Sequence, residues 1–178
     1  MINENFFNEA ERICWEKLQE FNNAYEVFNH IERTRGKWHS DSTGYTTNKL
    51  GEKRRFNIEL KNRNQILLDN GVISGHSDNG AYTSNTLMIE SHKVADLLLD
   101  AIDGLEPLYI NFLMDGTTLI FNLSKLTKRP QKSDRQNIKS RGYDKFEMAK
   151  RQYLYIVDAA IYKDGKLIKK AGEEWNGR

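Results

Sequence analysis

Apolar residues recur at helical spacing in two stretches of the chain. In residues 5–21, one stripe of a helix would carry six apolar side chains: Phe6, Ala10, Ile13, Cys14, Leu18 and Phe21. In residues 91–103, the apolar positions from Val94 onward are also spaced by three and four. This spacing predicts two amphipathic helices. We expect Ser91 to cap the second helix and Gly104 to follow its end.

Alternation of apolar and polar residues predicts strands between and after these helices. Residues 38–47 and 54–63 flank a polar, glycine-containing connection and are expected to form a hairpin. Residues 108–113 and 117–123 flank an Asp-Gly pair, which tolerates the positive φ of a tight turn. Each pair is therefore predicted to be antiparallel neighbours in a sheet.

The remaining segments give weaker signals. Residues 25–32 either extend the first helix or form a strand, and residues 86–89 and 153–162 are expected to be strands. Residues 65–84 are expected to be a loop with a short strand at 72–73, because two Asp-Asn-Gly triplets mark turns there. This order predicts a single α/β domain over residues 1–178, a sandwich built on a mixed sheet.

Positive charge is concentrated in residues 125–151. The whole chain has a net charge of +2, whereas this segment has ten basic and three acidic residues, and is +7. The segment indicates a polyanionic partner, and the alternative is a solvated loop. We expect it to be mobile without its partner. The expected phosphate-binding residues are Lys128, Arg129, Lys132, Arg135, Lys139 and Arg141.

Other features narrow the class of protein. The single cysteine, Cys14, excludes an intramolecular disulfide and a multi-cysteine zinc site, which is typical of a reducing cytoplasm. No apolar run approaches the roughly 18 residues of a membrane span, so no membrane partner is expected. Residues 1–11 contain three acidic residues and no basic one, unlike a signal peptide. We therefore expect a cytoplasmic protein.

The residues that indicate chemistry lie on the predicted hairpin. Glu59 and Lys61 are two apart in a strand and therefore share one face. Opposed residues of an antiparallel pair have a constant index sum, here about 100 to 102, which places Asp41 opposite residues 59–61. Two adjacent carboxylates repel each other unless a cation lies between them, and oxygen ligands suit Mg²⁺ or Mn²⁺. Lys61 could then support a nucleophilic water or stabilise charge on a phosphate.

An aspartate followed, after about a dozen and a half residues, by Glu-x-Lys on a strand resembles the PD-(D/E)xK nuclease superfamily. The resemblance spans roughly residues 5 to 123. It implies a restriction-endonuclease-like α-β-β-β-α-β sandwich around a mixed central sheet. By this resemblance Asp41 and Glu59 are metal ligands, together with the Leu60 carbonyl, and Lys61 is the catalytic lysine. Ser40 stands where a proline often precedes the aspartate.

Two further residues match positions that relatives use. A glutamate on the first helix often joins the site, and the placement of Glu11 relative to Leu18 and Asn22 resembles it. Lys93, at the start of the second helix, is similar to a lysine near the scissile phosphate in several phage-type relatives. Asn62 and Arg63 follow the motif and could contact phosphate, although a strand end also explains them.

The resemblance implies an Mg²⁺-dependent nuclease that hydrolyses phosphodiester bonds, with DNA as the expected substrate. RNA and a homodimer remain possible. Glu59 and Lys61 alone could be a solvent-facing pair, and Asp41 alone a turn residue. The alternatives are a non-catalytic nucleic-acid-binding domain on the same fold and a protein-interaction domain.

Overall fold

The computed structural model describes residues 4–34, 40–77, 79–136 and 148–175. The helices and strands, in chain order, are α1 Glu4–Tyr25, β1 His30–Arg33, β2 Ser42–Thr47, β3 Lys53–Asn62, β4 Ile66–Leu67, β5 Ile73–Ser77, β6 Gly80–Ser84, β7 Thr86–Glu90, α2 Ser91–Asp100, β8 Leu105–Phe112, β9 Thr118–Asn122, β10 Gln131–Gln136, β11 Met148–Tyr155, β12 Ala159–Lys163 and β13 Lys166–Lys169. None of the described helices has the length and apolar character needed to span a membrane.

A seven-stranded sheet forms the centre of the molecule, in the order β1-β2-β3-β8-β9-β12-β13. The pair β3 and β8 is parallel, and the other neighbours are antiparallel. Parallel neighbours need a crossover connection, and here the chain between them includes α2. The predicted α/β class with a mixed central sheet is therefore confirmed.

The two helices cover opposite faces of this sheet. Leu18 and Phe21 of α1 pack in one buried cluster with Ile58 and Leu60 of β3. Val94 and Leu97 of α2 belong to a second buried cluster with β8, β9 and β11 residues. Because side chains alternate along a strand, the residues of β3 between the apolar ones, Asn57, Glu59 and Lys61, face α2.

Two smaller sheets lie beside the central one. The first has the order β4-β5-β6 and the second has the order β10-β11-β7. In the second, Tyr153 pairs with Met88 and Arg151 pairs with Glu90. Strand β7 leads directly into α2. The second sheet is therefore continuous, through β7, with the helix that faces Glu59.

Several predicted element boundaries are confirmed with small shifts, and three expectations are wrong. Residues 65–84 contain three paired strands and are not a loop, and the triplet at 69–71 turns the chain between β4 and β5; the short strand expected at 72–73 corresponds to the start of β5. Ser91 does not cap α2. It is the first helical residue after Glu90, which makes no side-chain capping bond. Helix α2 ends at Asp100, three residues early, and a 3₁₀ turn continues to Asp103 before Gly104 at φ 80°.

The structure also differs from the expectation between residues 125 and 162. Residues 125–130 of the basic segment are irregular, but residues 131–136 and 148–151 lie in strands, since β10 pairs with β11 and β11 with β7. A loop throughout 125–151 is thus wrong, and residues 137–147 lie outside the described part. A 3₁₀ turn at Ile156–Asp158 interrupts the strand expected at 153–162. The ambiguous 25–32 segment ends in β1, and the predicted start of β2 at 38–39 lies outside the described residues.

Candidate active site

The pairing of β2 with β3 brings Asp41 to the same strand end as Glu59. Ser42 pairs with Ile58, an index sum of 100, and the Asp41 amide donates to the Ile58 carbonyl at 3.0 Å. The predicted register is therefore confirmed. Asp41 Oδ2 also accepts a hydrogen bond from the Leu60 amide at 2.7 Å. The Asp41 carboxylate is thus anchored to the backbone of the strand that carries Glu59.

Glu59 is buried beneath α2. Only 7% of the residue is exposed, and its Oε2 accepts a hydrogen bond from Lys93 Nζ at 3.1 Å. Lys93 lies in the first turn of α2. The structure therefore brings Lys93 to Glu59, and its expected place near the scissile phosphate stays a prediction.

The electrostatics of this pair of acids are unfavourable. Burial, followed by the negative charge of Asp41, raises the pKa of Glu59 to about 7 despite the opposing charge of Lys93. Burial also raises the pKa of Asp41, against the effect of the Leu60 amide. Burial acts to lower the pKa of Lys93, but the charges of Glu59 and Asp41 outweigh it and leave that pKa raised. Two buried carboxylates thus compete for the same positive charge.

Lys61 lines a small cleft beside Glu59. The cleft has a volume of about 20 Å³, enough for roughly one water molecule or one ion. Its lining residues are Glu59, Lys61, Arg63, Met88, Ile89, Glu90, Lys93 and Tyr109. The charge of Lys61 acts to lower the pKa of both Asp41 and Glu59, so its ammonium is close enough to stabilise the charged form of each acid.

Glu11 lies near this cluster but is directed elsewhere. Its charge contributes to the raised pKa of Asp41. Its Oε2 faces Arg33 Nη2 at 3.5 Å, and both side chains are about half exposed (55% and 40%). Glu11 is therefore a residue of the rim, with Arg33 as its described partner.

The donor set suits a hard divalent cation. Within residues 4–34, 40–77, 79–136 and 148–175, no three His, Cys, Asp or Glu side chains cluster closely enough to hold a metal by themselves. Mg²⁺, however, is commonly bound by one or two carboxylates and keeps several waters. The amide and carbonyl of a strand residue point to the same side, so the Leu60 carbonyl points toward the edge where Asp41 binds its amide. Asp41, Glu59 and this carbonyl together fit Mg²⁺ or Mn²⁺.

Three of the predicted phosphate-binding residues, Lys128, Arg129 and Lys132, do not line this cleft. Lys128 and Arg129 precede β10, and Lys132 and Arg135 lie on it; Lys139 and Arg141 are outside the described residues. Lys128 Nζ lies 5.5 Å from the ring centroid of Tyr155. Strand β11 pairs with β7, whose Met88 and Glu90 line the cleft.

A polar network lines part of the cleft around Arg63, a residue that the sequence marks only as a possible phosphate contact. Arg63 Nε donates to Asn111 Oδ1 at 3.0 Å, and Arg63 Nη2 donates to the Met88 carbonyl and the Tyr109 hydroxyl. The sequence signal for Arg63 is the two-residue alternation of charged positions, which runs from Glu59 through Lys61 to Arg63. No local sequence pattern predicts that Tyr109 and Asn111 contact Arg63, because the parallel pairing of β8 with β3 brings them to it.

No family model matches the chain, and no curated protein or solved structure matches it.

Proposed function

We propose that this chain is a metal-dependent nuclease of the PD-(D/E)xK type, which hydrolyses phosphodiester bonds in DNA. The observation that carries the proposal is the convergence of Asp41, Glu59 and Lys61 at one end of a strand pair, with the pKa of both acids raised. Buried acids with raised pKa values, beside a cleft, favour a functional site over a structural one.

The order of elements supports the same proposal. Helix α1, strands β1, β2 and β3, helix α2 and strand β8 follow one another around a mixed sheet, with three further strands and β7 inserted before α2. This is the α-β-β-β-α-β order expected for a restriction-endonuclease-like core. Asp41 lies just before β2, and Glu59 and Lys61 lie on β3, which supports the proposed assignment.

Asp41, Glu59 and the Leu60 carbonyl would hold the metal ion. When bound, Mg²⁺ or Mn²⁺ would supply a Lewis acid and lower the pKa of a water. The Leu60 amide fixes the Asp41 carboxylate, and Lys93 fixes that of Glu59. These bonds hold both carboxylates in place before the substrate arrives.

Lys61 acts on the reacting phosphate in this proposal. Its side chain lines the cleft, and no described residue pairs with it in an ion pair or hydrogen bond. It can therefore donate to the attacking water or to a phosphate oxygen as negative charge develops there. The water oxygen forms the new bond to phosphorus and gives its proton to bulk water, the bond to the leaving oxygen breaks, and the leaving oxygen takes a proton from bulk water.

One observation favours the second candidate function, a nucleic-acid-binding domain on the same fold that does not cut. The Lys93–Glu59 ion pair at 3.1 Å already neutralises one of the two carboxylates without a metal. In that case the basic segment would bind DNA, and the two acids would contribute no chemistry.

A cleavage assay separates the two candidates. Supercoiled plasmid, single-stranded DNA and RNA are incubated with Mg²⁺, Mn²⁺ or EDTA, using wild-type protein, Lys61→Ala and the control Lys166→Ala, an exposed residue of β13. We expect metal-dependent cutting that falls about 10²- to 10³-fold in Lys61→Ala only. Salt-sensitive DNA binding without cutting would support the binding domain, and cutting that survives Lys61→Ala would mean that the site is wrong.

A further inference from the structure

Arg63 is held rigidly by neutral partners. Three of its hydrogen bonds go to the Asn111 side chain, the Met88 carbonyl and the Tyr109 hydroxyl. Asn111 and Tyr109 are themselves buried, at 0% and 2% exposure, and the Tyr109 hydroxyl also donates to the Met88 carbonyl at 3.0 Å. The guanidinium orientation is therefore fixed by three groups that carry no charge.

One end of this guanidinium remains available. Within the described part of the chain, Arg63 Nη1 donates to no acceptor, and Arg63 forms no ion pair with a carboxylate. The side chain lines the same cleft as Lys61 and Glu59. Arg63 therefore presents the two N–H donors of Nη1 and a guanidinium charge that no described carboxylate binds in an ion pair.

Two cations of the cleft form no ion pair with a described residue. Lys93 pairs with Glu59 at 3.1 Å, whereas neither Lys61 nor Arg63 forms an ion pair with a carboxylate in the described part of the chain. The charges of Asp41 and Glu59 act on Lys61 only over a longer distance. A guanidinium suits phosphate oxygens because its donors lie in a fixed plane.

We propose that Arg63 binds a phosphate oxygen of the substrate through Nη1 and, with Lys61, positions that phosphate beside Glu59. The identity of the ligand as a nucleic-acid phosphate rests on the proposed function. The site itself rests on the anchored guanidinium and the cleft. The competing explanation is structural, in which Arg63 only fastens β7 to β8 through Met88 and Tyr109.

The test is DNA binding by the intact chain in EDTA, measured by fluorescence anisotropy with a labelled duplex and a labelled single strand over a range of salt concentrations. Arg63→Gln is compared with Arg12→Gln, a control on the exposed face of α1 whose partners are Glu9 and Glu16. We expect Arg63→Gln to weaken binding about tenfold and to reduce the slope of log K against log salt by about one. Arg12→Gln should change neither quantity.

A structural role gives a different result. Arg63→Gln would then lower the unfolding temperature while the affinity and the salt slope of its folded fraction stay at wild-type values, which would overturn the proposal. If Arg63→Gln does not fold, the wild-type protein is crystallised with a short oligodeoxynucleotide in EDTA. A phosphate oxygen within about 3 Å of Nη1 would support the proposal, and phosphates bound only elsewhere would overturn it.

The result is distinct from that of the cleavage assay. Weaker binding by Arg63→Gln, in a protein that cuts no substrate with any metal, would support this site and overturn the nuclease. Loss of cutting in Lys61→Ala, with wild-type DNA binding by Arg63→Gln, would support the nuclease and overturn this site. Wild-type protein that binds no DNA would overturn the proposal for Arg63.

Discussion

Two glutamates on the same pair of parallel strands have opposite environments. Glu106, near the start of β8, receives hydrogen bonds from Arg54, Lys125 and Asn122, and its pKa is lowered to about 2, chiefly by Arg54. Glu59, toward the end of β3, is more deeply buried beside a second acid, and its pKa is raised to about 7. The charge of Glu106 is stabilised by three hydrogen-bonding partners, whereas Glu59 has Lys93 as its single partner among the described residues and also faces the charge of Asp41.

The difference separates a stabilising cluster from a candidate site. An ion-pair network whose charges are already paired gains little stability from an added ion. The acids at Asp41 and Glu59 would be stabilised by an added cation, because burial and mutual repulsion disfavour their charged forms. Substitutions at the two glutamates should therefore have opposite consequences for activity and for stability.

The largest expected effect is on cleavage. Asp41→Asn and Glu59→Gln each remove a negative charge from the proposed metal site, and Glu106→Gln removes one from the satisfied cluster. We expect the first two to reduce metal-dependent cutting by about 10²- to 10³-fold, as for other groups that stabilise charge in a transition state, and Glu106→Gln to cut like wild type. Rates are measured on plasmid at a fixed Mg²⁺ concentration.

Folded protein must be confirmed for each variant. Asn at position 41 can still accept the Leu60 amide bond through its side-chain carbonyl, so the hairpin end should keep its geometry. Equal losses of cutting in Glu59→Gln and Glu106→Gln would contradict the assignment of the site to the end of β3.

The next effect is on stability as a function of pH. Because the folded-state pKa of Glu59 is raised from 4.5 to about 7, the folded protein binds more protons than the unfolded chain between these values. Its contribution to the free energy of unfolding therefore falls as pH rises through that window, by about 1–3 kcal/mol. Chemical denaturation of wild type and Glu59→Gln at pH 5 and pH 8 measures the difference. The free energy of unfolding of Glu59→Gln, relative to that of wild type, should be higher at pH 8 than at pH 5.

With the proposed metal site, Mg²⁺ should reverse this loss at pH 8, because it would bind the charged carboxylates of the folded state only. The same addition should leave Glu59→Gln and the pH 5 samples nearly unchanged. A difference in free energy of unfolding between wild type and Glu59→Gln that stays the same from pH 5 to pH 8 in EDTA would contradict the raised pKa.

Sequence patterns predicted the parts of this site that depend on local pairing. A two-residue period and an index sum were enough to bring Asp41 opposite Glu59, because a hairpin with a short connection leaves little freedom in register. The same two-residue alternation predicted that Glu59 and Lys61 lie on one face of the strand. The position of Lys93 came only from a resemblance, since α2 reaches Glu59 through a crossover that no local pattern specifies.

What could not be predicted involves contacts between distant segments. The Arg63 network joins β7 and β8, which lie about 25 and 46 residues further along the chain. In residues 65–84 only a short strand at 72–73 was predicted, and β4, β6 and most of β5 were missed. Turn signals dominate this segment, so burial of Leu67 and Ile73 in the α2-side core decides the structure there. The pKa of Glu59 likewise depends on burial, which the sequence does not display.

The smallest effect concerns the stability contributed by the satisfied cluster. Glu106→Gln removes the acceptor charge that binds Arg54 and Lys125 and leaves both cations without this partner. Because the Glu106 side chain is 24% exposed, solvent screens much of the interaction, and we expect a loss of about 1 kcal/mol in the free energy of unfolding at pH 7. The lowered pKa of Glu106 means that this contribution is present above pH 4.5 and is lost as pH falls toward 2. Denaturant titrations at pH 7 and pH 3 measure it, and high salt should shrink the difference at pH 7. If Glu106→Gln were instead more stable than wild type at pH 7, as expected for Glu59→Gln at pH 8, the two glutamates would not differ as their surroundings require.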